Sequence, residues 1–316
     1  MNKEDREIKN HAQDSQGVHT GESHGEVHHE ISIAAEPIFS IGSFPVVNSL
    51  LTSWIVAIIL IILSFILKFR IKKIPGKFQL IWETLYEEAL NLADQVTGDR
   101  KISVQALPIA LTAFIFILAS NWLGILPGVG SIGMIVAEHG KEVFIPYLRG
   151  GTADINTTLA LSLISVIGAN IFGIISIGIW KTFNKFINLK VLTEMVTKVK
   201  KDPTVLIVAP ITFFVGLIEI IGEIAKIASL SFRLFGNVFA GEVLLASIAS
   251  LVSFIVPIPF LFLEILVGFI QALIFAVLTL VYFTIASMDH DHDQDHKHED
   301  GHAHVSEHAE KEVIAV

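Results

Sequence analysis

Long apolar runs separated by charged clusters set the pattern of this chain. The first runs from about Val47 to Phe69, the second from about Val104 to Leu126, and the third from about Thr157 to Trp180. Each suits a transmembrane helix, which needs about 20 predominantly apolar residues. A fourth apolar region extends from Val205 to Leu251, with no proline after Pro210 and no turn cluster. As one helix it would be roughly 65 Å long at about 1.5 Å per residue, against a hydrocarbon core of about 30 Å. One upright span cannot hold it, and two upright spans need a turn. The only candidates near its middle lie around polar residues in apolar sequence, so we read one strongly tilted helix. Pro257 and Pro259 then break the chain before a second long helix, about Phe260 to Ser287, and the two form a hairpin. The expected fold is an all-α polytopic membrane protein with five crossings.

Charge orients these spans. The first run ends in Lys68, Arg70, Lys72, Lys73 and Lys77, and the third is followed by Lys181, Lys185, Lys190, Lys198, Lys200 and Lys201. The segment between the second and third runs holds only Lys141 and Arg149. By the positive-inside rule the two basic clusters are cytoplasmic and the 127–156 loop is outside. The N-terminus is then outside and the C-terminus cytoplasmic. Between the first two spans, Leu85, Ala89, Leu92 and Val96 recur at helical spacing among Glu87, Glu88 and Asp94. They predict an amphipathic helix on the cytoplasmic surface, either a plain connection or a docking surface.

Composition agrees. Of 316 residues 52% are hydrophobic and only 17% charged, too apolar for an ordinary soluble domain. The formal charge of −9 sits largely in two polar tails, so it does not point to nucleic acid or another charged partner. With no cysteine, disulfides, Cys-ligated zinc and thiol catalysis are excluded. The first thirty residues, polar throughout, do not read as a signal peptide. The chain divides into a His-rich extension (1–44), a membrane domain (45–288) and a His/Asp-rich tail (289–316). The tail histidines, among them His28, His29, His290, His292, His296, His298, His302, His304 and His308, read as solvated chain rather than a metal site. No metal or other cofactor is expected.

Ionisable residues inside apolar helices cost about 2.5–3.5 kcal/mol each on insertion scales and point to function. The long helix carries Glu219, Glu223, Lys226, Arg233 and Asn237 at steps of four, three, seven and four, which puts them on one face. Glu242, nine residues past Arg233, falls on the opposite face about 13 Å along the axis. The partner helix offers Glu264 and Gln271, which share a face. If the hairpin pairs antiparallel, Glu264 can reach toward Glu242, and Gln271 toward Arg233 or Asn237. Glu219, Glu223 and Lys226 read equally well as internal ion pairs, and Asn237 and Gln271 as interhelical hydrogen-bond glue. Arg233 has no acid at i+3 or i+4.

Ser229 to Glu242 reads S-L-S-F-R-L-F-G-N-V-F-A-G-E. It closely resembles the signature of subunit a of F-type ATP synthases, R-L-F-(G/A)-N followed by a Gly and then a Glu or His. Four further stretches resemble that family in order: Pro75-Gly76-Lys77-Phe78-Gln79, Asn121-Trp122-Leu123-Gly124-Ile125-Leu126-Pro127-Gly128, Asp154-Ile155-Asn156-Thr157-Thr158, and Gln271-Ala272 with Phe275, Leu278 and Tyr282. The matches cover about 45–290 and leave out the tails. The resemblance implies a non-catalytic stator subunit of a bacterial plasma membrane. Its partners would be a rotating ring of c subunits, peripheral-stalk b subunits and membrane lipid. It would supply two offset half-channels for protons. Arg233 matches the essential arginine of the family. Glu242, Glu264, Asn237, Gln271 and Glu219 match polar channel or ring-facing positions, with Glu223, Asn121, Asp154 and Asn156 as further polar candidates. Many relatives pair a His with a Glu where this chain has Glu242 and Glu264.

A secondary transporter with an Arg–Glu relay is the competing class, but such folds often carry internal repeats and we see none. A membrane scaffold does not explain an intramembrane arginine opposite a glutamate. Cysteine-accessibility mapping tests the single tilted helix: positions 225–230 should show no aqueous loop, and a reactive loop there would require two upright spans.

Overall fold

The computed structural model describes residues 35–126, 128–138, 141–180, 182, 205–251 and 255–288. Both polar tails and the lysine-rich stretch after Trp180 lie outside the described residues, and so do the tail histidines. Two short strands, β1 (Pro37–Ile41) and β2 (Phe44–Val47), form an antiparallel hairpin that runs directly into α1 (Asn48–Arg70). The surface helix α2 (Lys77–Thr97) follows, then α3 (Arg100–Ile125). After one 3-10 turn (Val129–Ser131), β3 (Gly133–Glu138) and β4 (Lys141–Pro146) make a second antiparallel hairpin. The chain continues through α4 (Ile155–Ile177), α5 (Val205–Leu251) and α6 (Pro257–Ser287).

Local chemistry sets the ends of these helices. Gly98 adopts a left-handed φ of 71° and its N–H closes α2 on the Asp94 carbonyl. The next residue, Asp99, caps α3 by accepting from the Lys101 N–H. The α2–α3 elbow is therefore two residues long, and an Arg100–Asp94 ion pair braces it. Asp154 caps α4 in the same way, through the Asn156 N–H. Pro257 opens α6 at its first position, where a missing N–H costs nothing. The helix thus starts at Pro257 rather than Phe260, because Pro259 is tolerated within the first turn.

Among the described residues five helices are long and apolar enough to cross a membrane: Asn48–Arg70, Arg100–Ile125, Ile155–Ile177, Phe214–Leu251 and Pro257–Ser287. The chain is an α-helical polytopic membrane protein. Helix α5 is one unbroken element of 47 residues, roughly 70 Å at about 1.5 Å per residue. Its length alone forbids an upright fit in a core of about 30 Å.

Polarity is inverted relative to a soluble core. On α1 the buried residues are Asn48, Ser49, Thr52, Ser53 and Val56, while Ile58, Ile59, Ile61 and Ile62 are exposed. Lipid tails are as apolar as isoleucine, so burying isoleucine gains little there, whereas a hydroxyl needs a partner. Hydroxyls supply much of the interhelical bonding. Thr158 and Ser231 join α4 to α5 at 3.1 Å, and Ser165 and Thr279 join α4 to α6 at 2.7 Å. Helix α6 is the hub, packed on α2, α3, α4 and α5. One apolar cluster includes Leu90, Leu107, Ala169 and Phe283, and a second includes Ile117, Val166, Leu230, Leu234 and Phe275.

The structure departs from the sequence pattern in two places. On α2 the buried stripe is Leu90, Ala93 and Thr97; of the expected apolar face Ala89 and Val96 pack against the core, whereas Leu85 and Leu92 are exposed. Only the second half of α2 folds onto α3 and α6, and those partners set the phase of the contact. The two hairpins were not expected either. β1 and the start of β2 lie inside the stretch that reads as a polar extension. β3 and β4 lie in what reads as a plain outer loop.

The α4–α5 seam can be checked by cross-linking in a chain with no native cysteine. Thr158→Cys with Ser231→Cys should form a disulfide on mild oxidation, seen as a mobility shift. Thr158→Cys with Phe232→Cys should not, since Phe232 points outward and is 61% exposed.

Candidate functional site

Helix α5 presents two different faces. Leu230, Ser231, Leu234, Val238 and Gly241 are buried against the neighbouring helices. The other side exposes Ala225, Ser229, Arg233, Gly236 and Ala240, a stripe of small residues at three- and four-residue steps with one cation at its centre. A Cβ added at Gly236 would meet nothing within 4 Å, so that face is open. Among the described residues Arg233 has no hydrogen-bond or ion-pair partner.

On one side of Arg233 along α5 lie Glu219, Glu223 and Lys226. Lys226 Nζ donates to Glu223 Oε1 at 2.7 Å and sits 5.5 Å above the Tyr282 ring of α6. Asn170 of α4 donates to Glu223 Oε2 at 3.1 Å. Of the two sequence readings for this group, an internal i,i+3 ion pair is the arrangement found for Glu223 and Lys226. Glu223 and Lys226 therefore turn toward α4 and α6 rather than outward with Arg233. Glu219 is half-buried and also makes contacts.

On the other side lies Glu242, which turns inward, away from Arg233. Its Oε2 accepts from Arg149 Nε at 2.9 Å. Glu264 of α6 comes within electrostatic reach of Glu242. The Glu264 carboxyl packs directly over Gly241, where any Cβ would collide with it. The expected approach of Glu264 to Glu242 is thus present. The expected reach of Gln271 is not: it is buried in α6 and hydrogen-bonds neither Arg233 nor Asn237. Asn237 is half-buried one turn beyond Arg233.

The remaining polar candidates have visible structural tasks. Asp154 caps α4, accepts from the Asn156 side chain at 3.2 Å, and accepts from Ser49 of α1 at 3.3 Å. Asn121 donates to the Gly268 carbonyl of α6 at 3.4 Å and accepts from Thr152.

Sequence reasoning missed Arg149, which entered only as a loop charge. Its one available signal was its position directly before Gly150 and Gly151. Those glycines let the loop press onto α3 and α1, since a Cβ on Gly124 of α3 would stand 2.7 Å from the Gly150 Cα and one on Gly151 2.8 Å from Ser53 Oγ of α1.

The fold and this site define a polytopic helical membrane protein whose two longest apolar helices share a set of intramembrane charges. A family model described as ATP synthase A chain matches residues 50–284. The chain is 36% identical over 251 residues to ATP synthase subunit a of Mycobacterium ulcerans, covering 78% of this chain and 89% of that protein. It is 30% identical over 255 residues to ATP synthase subunit a of Moorella thermoacetica, covering 81% and 96%. ATP synthase subunit a of Syntrophobacter fumaroxidans is 31% identical over 264 residues, with 82% and 92% covered. The chain belongs to the ATP synthase A chain family.

The glycine contact at the loop gives a stability test. Gly124→Ala drives a methyl group into the Gly150 backbone and should cost about 1–3 kcal/mol by overpacking. Thermal unfolding of the detergent-purified protein measures it, with Gly236→Ala as the control that meets nothing.

Proposed function

We propose that the chain is the proton-translocating stator subunit in the membrane sector of an F-type ATP synthase. In this reading its exposed α5 stripe faces a rotating ring of c subunits, each bearing a membrane carboxylate. The observation that carries the reading is Arg233: exposed, unpartnered among the described residues, and central in a stripe of small side chains. A charge with no internal partner in an apolar helix calls for an opposite charge on another molecule. Small side chains let a neighbouring helix approach closely, so the arginine can meet a carboxylate at short range. The subunit itself catalyses no bond change. Peripheral-stalk b subunits would hold it still against the ring.

The residue types suit the task. A guanidinium does not lose its proton under these conditions, so Arg233 favours the ionised form of a ring carboxylate facing it. A protonated ring site must release its proton before it passes. The same charge blocks direct leakage between two half-channels. Protons enter from outside past Glu242 and Glu264 and load the ring. After nearly a full rotation they leave to the cytoplasm on the side of Glu219 and Glu223. Each elementary charge moved supplies about 2.3 kcal/mol per 100 mV. This direction takes the N-terminus as outside, in line with the basic clusters after α1 and α4. Asn237 lies one turn beyond the arginine on α5, and Gln271 is a further polar position buried in α6.

Arg233→Ala should abolish ATP-driven proton pumping in inverted membrane vesicles, while the subunit still copurifies with the ring. Normal coupled pumping in that variant would refute the assignment. Arg233→Lys should also fail, because a compact ammonium lacks the planar fork of a guanidinium.

A further inference from the structure

Arg149 has no place in the scheme above, yet it is among the most firmly seated charges in the molecule. Its side chain is only 9% exposed. Its backbone N–H donates to Thr52 Oγ1 at 3.3 Å, and its Nε holds Glu242 Oε2 at 2.9 Å. Gly150 backs the same carboxylate: a Cβ there would stand 3.2 Å from Oε1. The guanidinium Nη2 is buried with no hydrogen-bond partner among the described residues. Glu242 therefore has one oxygen taken by a cation and the other close against the loop backbone. Glu264 differs. Among the described residues it has no hydrogen-bond or ion-pair partner. The charged group that reaches it is Glu242 from α5, itself faced by Arg149 from the loop.

We propose that Arg149 is a positioning residue of the outer proton path: it pins Glu242 to the loop as a fixed counter-charge and leaves Glu264, lodged over Gly241, as the carboxylate that takes up the proton and hands it to the ring. This rests on the half-channel reading above. Occupancy decides between the two glutamates. A proton arriving on Oε2 of Glu242 has to displace the guanidinium and strand a buried arginine without its counter-charge. A proton arriving on Glu264 displaces nothing, and it relieves the repulsion between two neighbouring carboxylates. Each transfer makes one O–H bond and breaks another: a hydronium gives its proton to Glu264 and leaves as water, and Glu264 then gives the proton to an ionised ring carboxylate and is left ionised.

A double-mutant cycle tests the assignment, read as ATP-driven proton pumping in inverted vesicles, with complex content measured by copurification with the ring. Arg149→Met leaves a carboxylate unpaired and Glu242→Gln leaves a guanidinium unpaired, so each alone should cut pumping by about tenfold or more. Arg149→Met combined with Glu242→Gln removes both charges and should pump at least about threefold faster than either single variant. Glu264→Gln should stay inactive in either background. Glu264→His should move the pH midpoint of pumping, whereas the double variant should not. A double variant no more active than Glu242→Gln, or an active Glu264→Gln, overturns the proposal. If the double variant fails to copurify with the ring, Arg149→Lys decides. It keeps the charge and should pump more than Arg149→Met, and equal loss overturns the proposal. Arg233→Ala in the same vesicles separates the two readings. Normal pumping there sinks the half-channel reading itself, whereas its silence beside an inactive double variant sinks only the role of Arg149.

Discussion

A charge held in an apolar helix has to be met by another charge, and the last two helices are arranged around that demand. Each ionised side chain at the centre of a span costs about 2.5–3.5 kcal/mol to insert. Glu223 meets it within α5 through Lys226, with Asn170 of α4 completing the carboxylate. Glu242 meets it through Arg149, carried in on the loop before α4. Arg233 is left over, on the open face. Glu223 and Glu242 are thus each paired, whereas Arg233 between them has no hydrogen-bond or ion-pair partner among the described residues.

Small residues make those pairings reachable. Gly241 clears space on α5 for the Glu264 carboxyl, and Gly150 clears space in the loop for Glu242. Gly173 lets α4 approach the end of α6, where a Cβ would stand 2.6 Å from the Ala286 carbonyl oxygen. The hydroxyl pairs Thr158–Ser231 and Ser165–Thr279 then tie α4 to both long helices. In lipid the gain from burying more leucine is small, so close backbone approach and satisfied hydroxyls hold the bundle. That is why the buried side of α1 is Asn48, Ser49, Thr52 and Ser53, and its isoleucines face outward.

The two β-hairpins belong to the same arrangement. β4 leads into the segment that delivers Arg149, and Asn48 at the start of α1 donates to the Pro146 carbonyl at 3.5 Å. Thr52 then receives the Arg149 N–H. The segment between α3 and α4 thus packs against α1 and α3 and supplies one partner of the Glu242 pair.

Length and periodicity carried much of the architecture. Apolar runs of about 20 residues mark spans because hydrocarbon thickness is a fixed ruler. The apolar stretch from Val205 to Leu251, with no proline after Pro210 and no turn cluster, reads as one long helix. Nine residues between Arg233 and Glu242 turn half a revolution on any helix, so their opposite directions were legible before any contact was known. The sequence alone therefore determined the spans, the unbroken α5, the hairpin, and the isolation of Arg233 on its own helix. Only the tertiary structure decided which charges meet. Arg149 and Glu242 are separated by 93 residues, and no local period connects a loop arginine to a helix glutamate that far away. The phase of the α2 contact, set by its partner helices, was closed to sequence for the same reason. The i,i+3 pairing of Glu223 with Lys226 was one of two readings the sequence allowed, but its inward turn toward Asn170 and Tyr282 was not, because a helix wheel gives direction but not what stands in that direction.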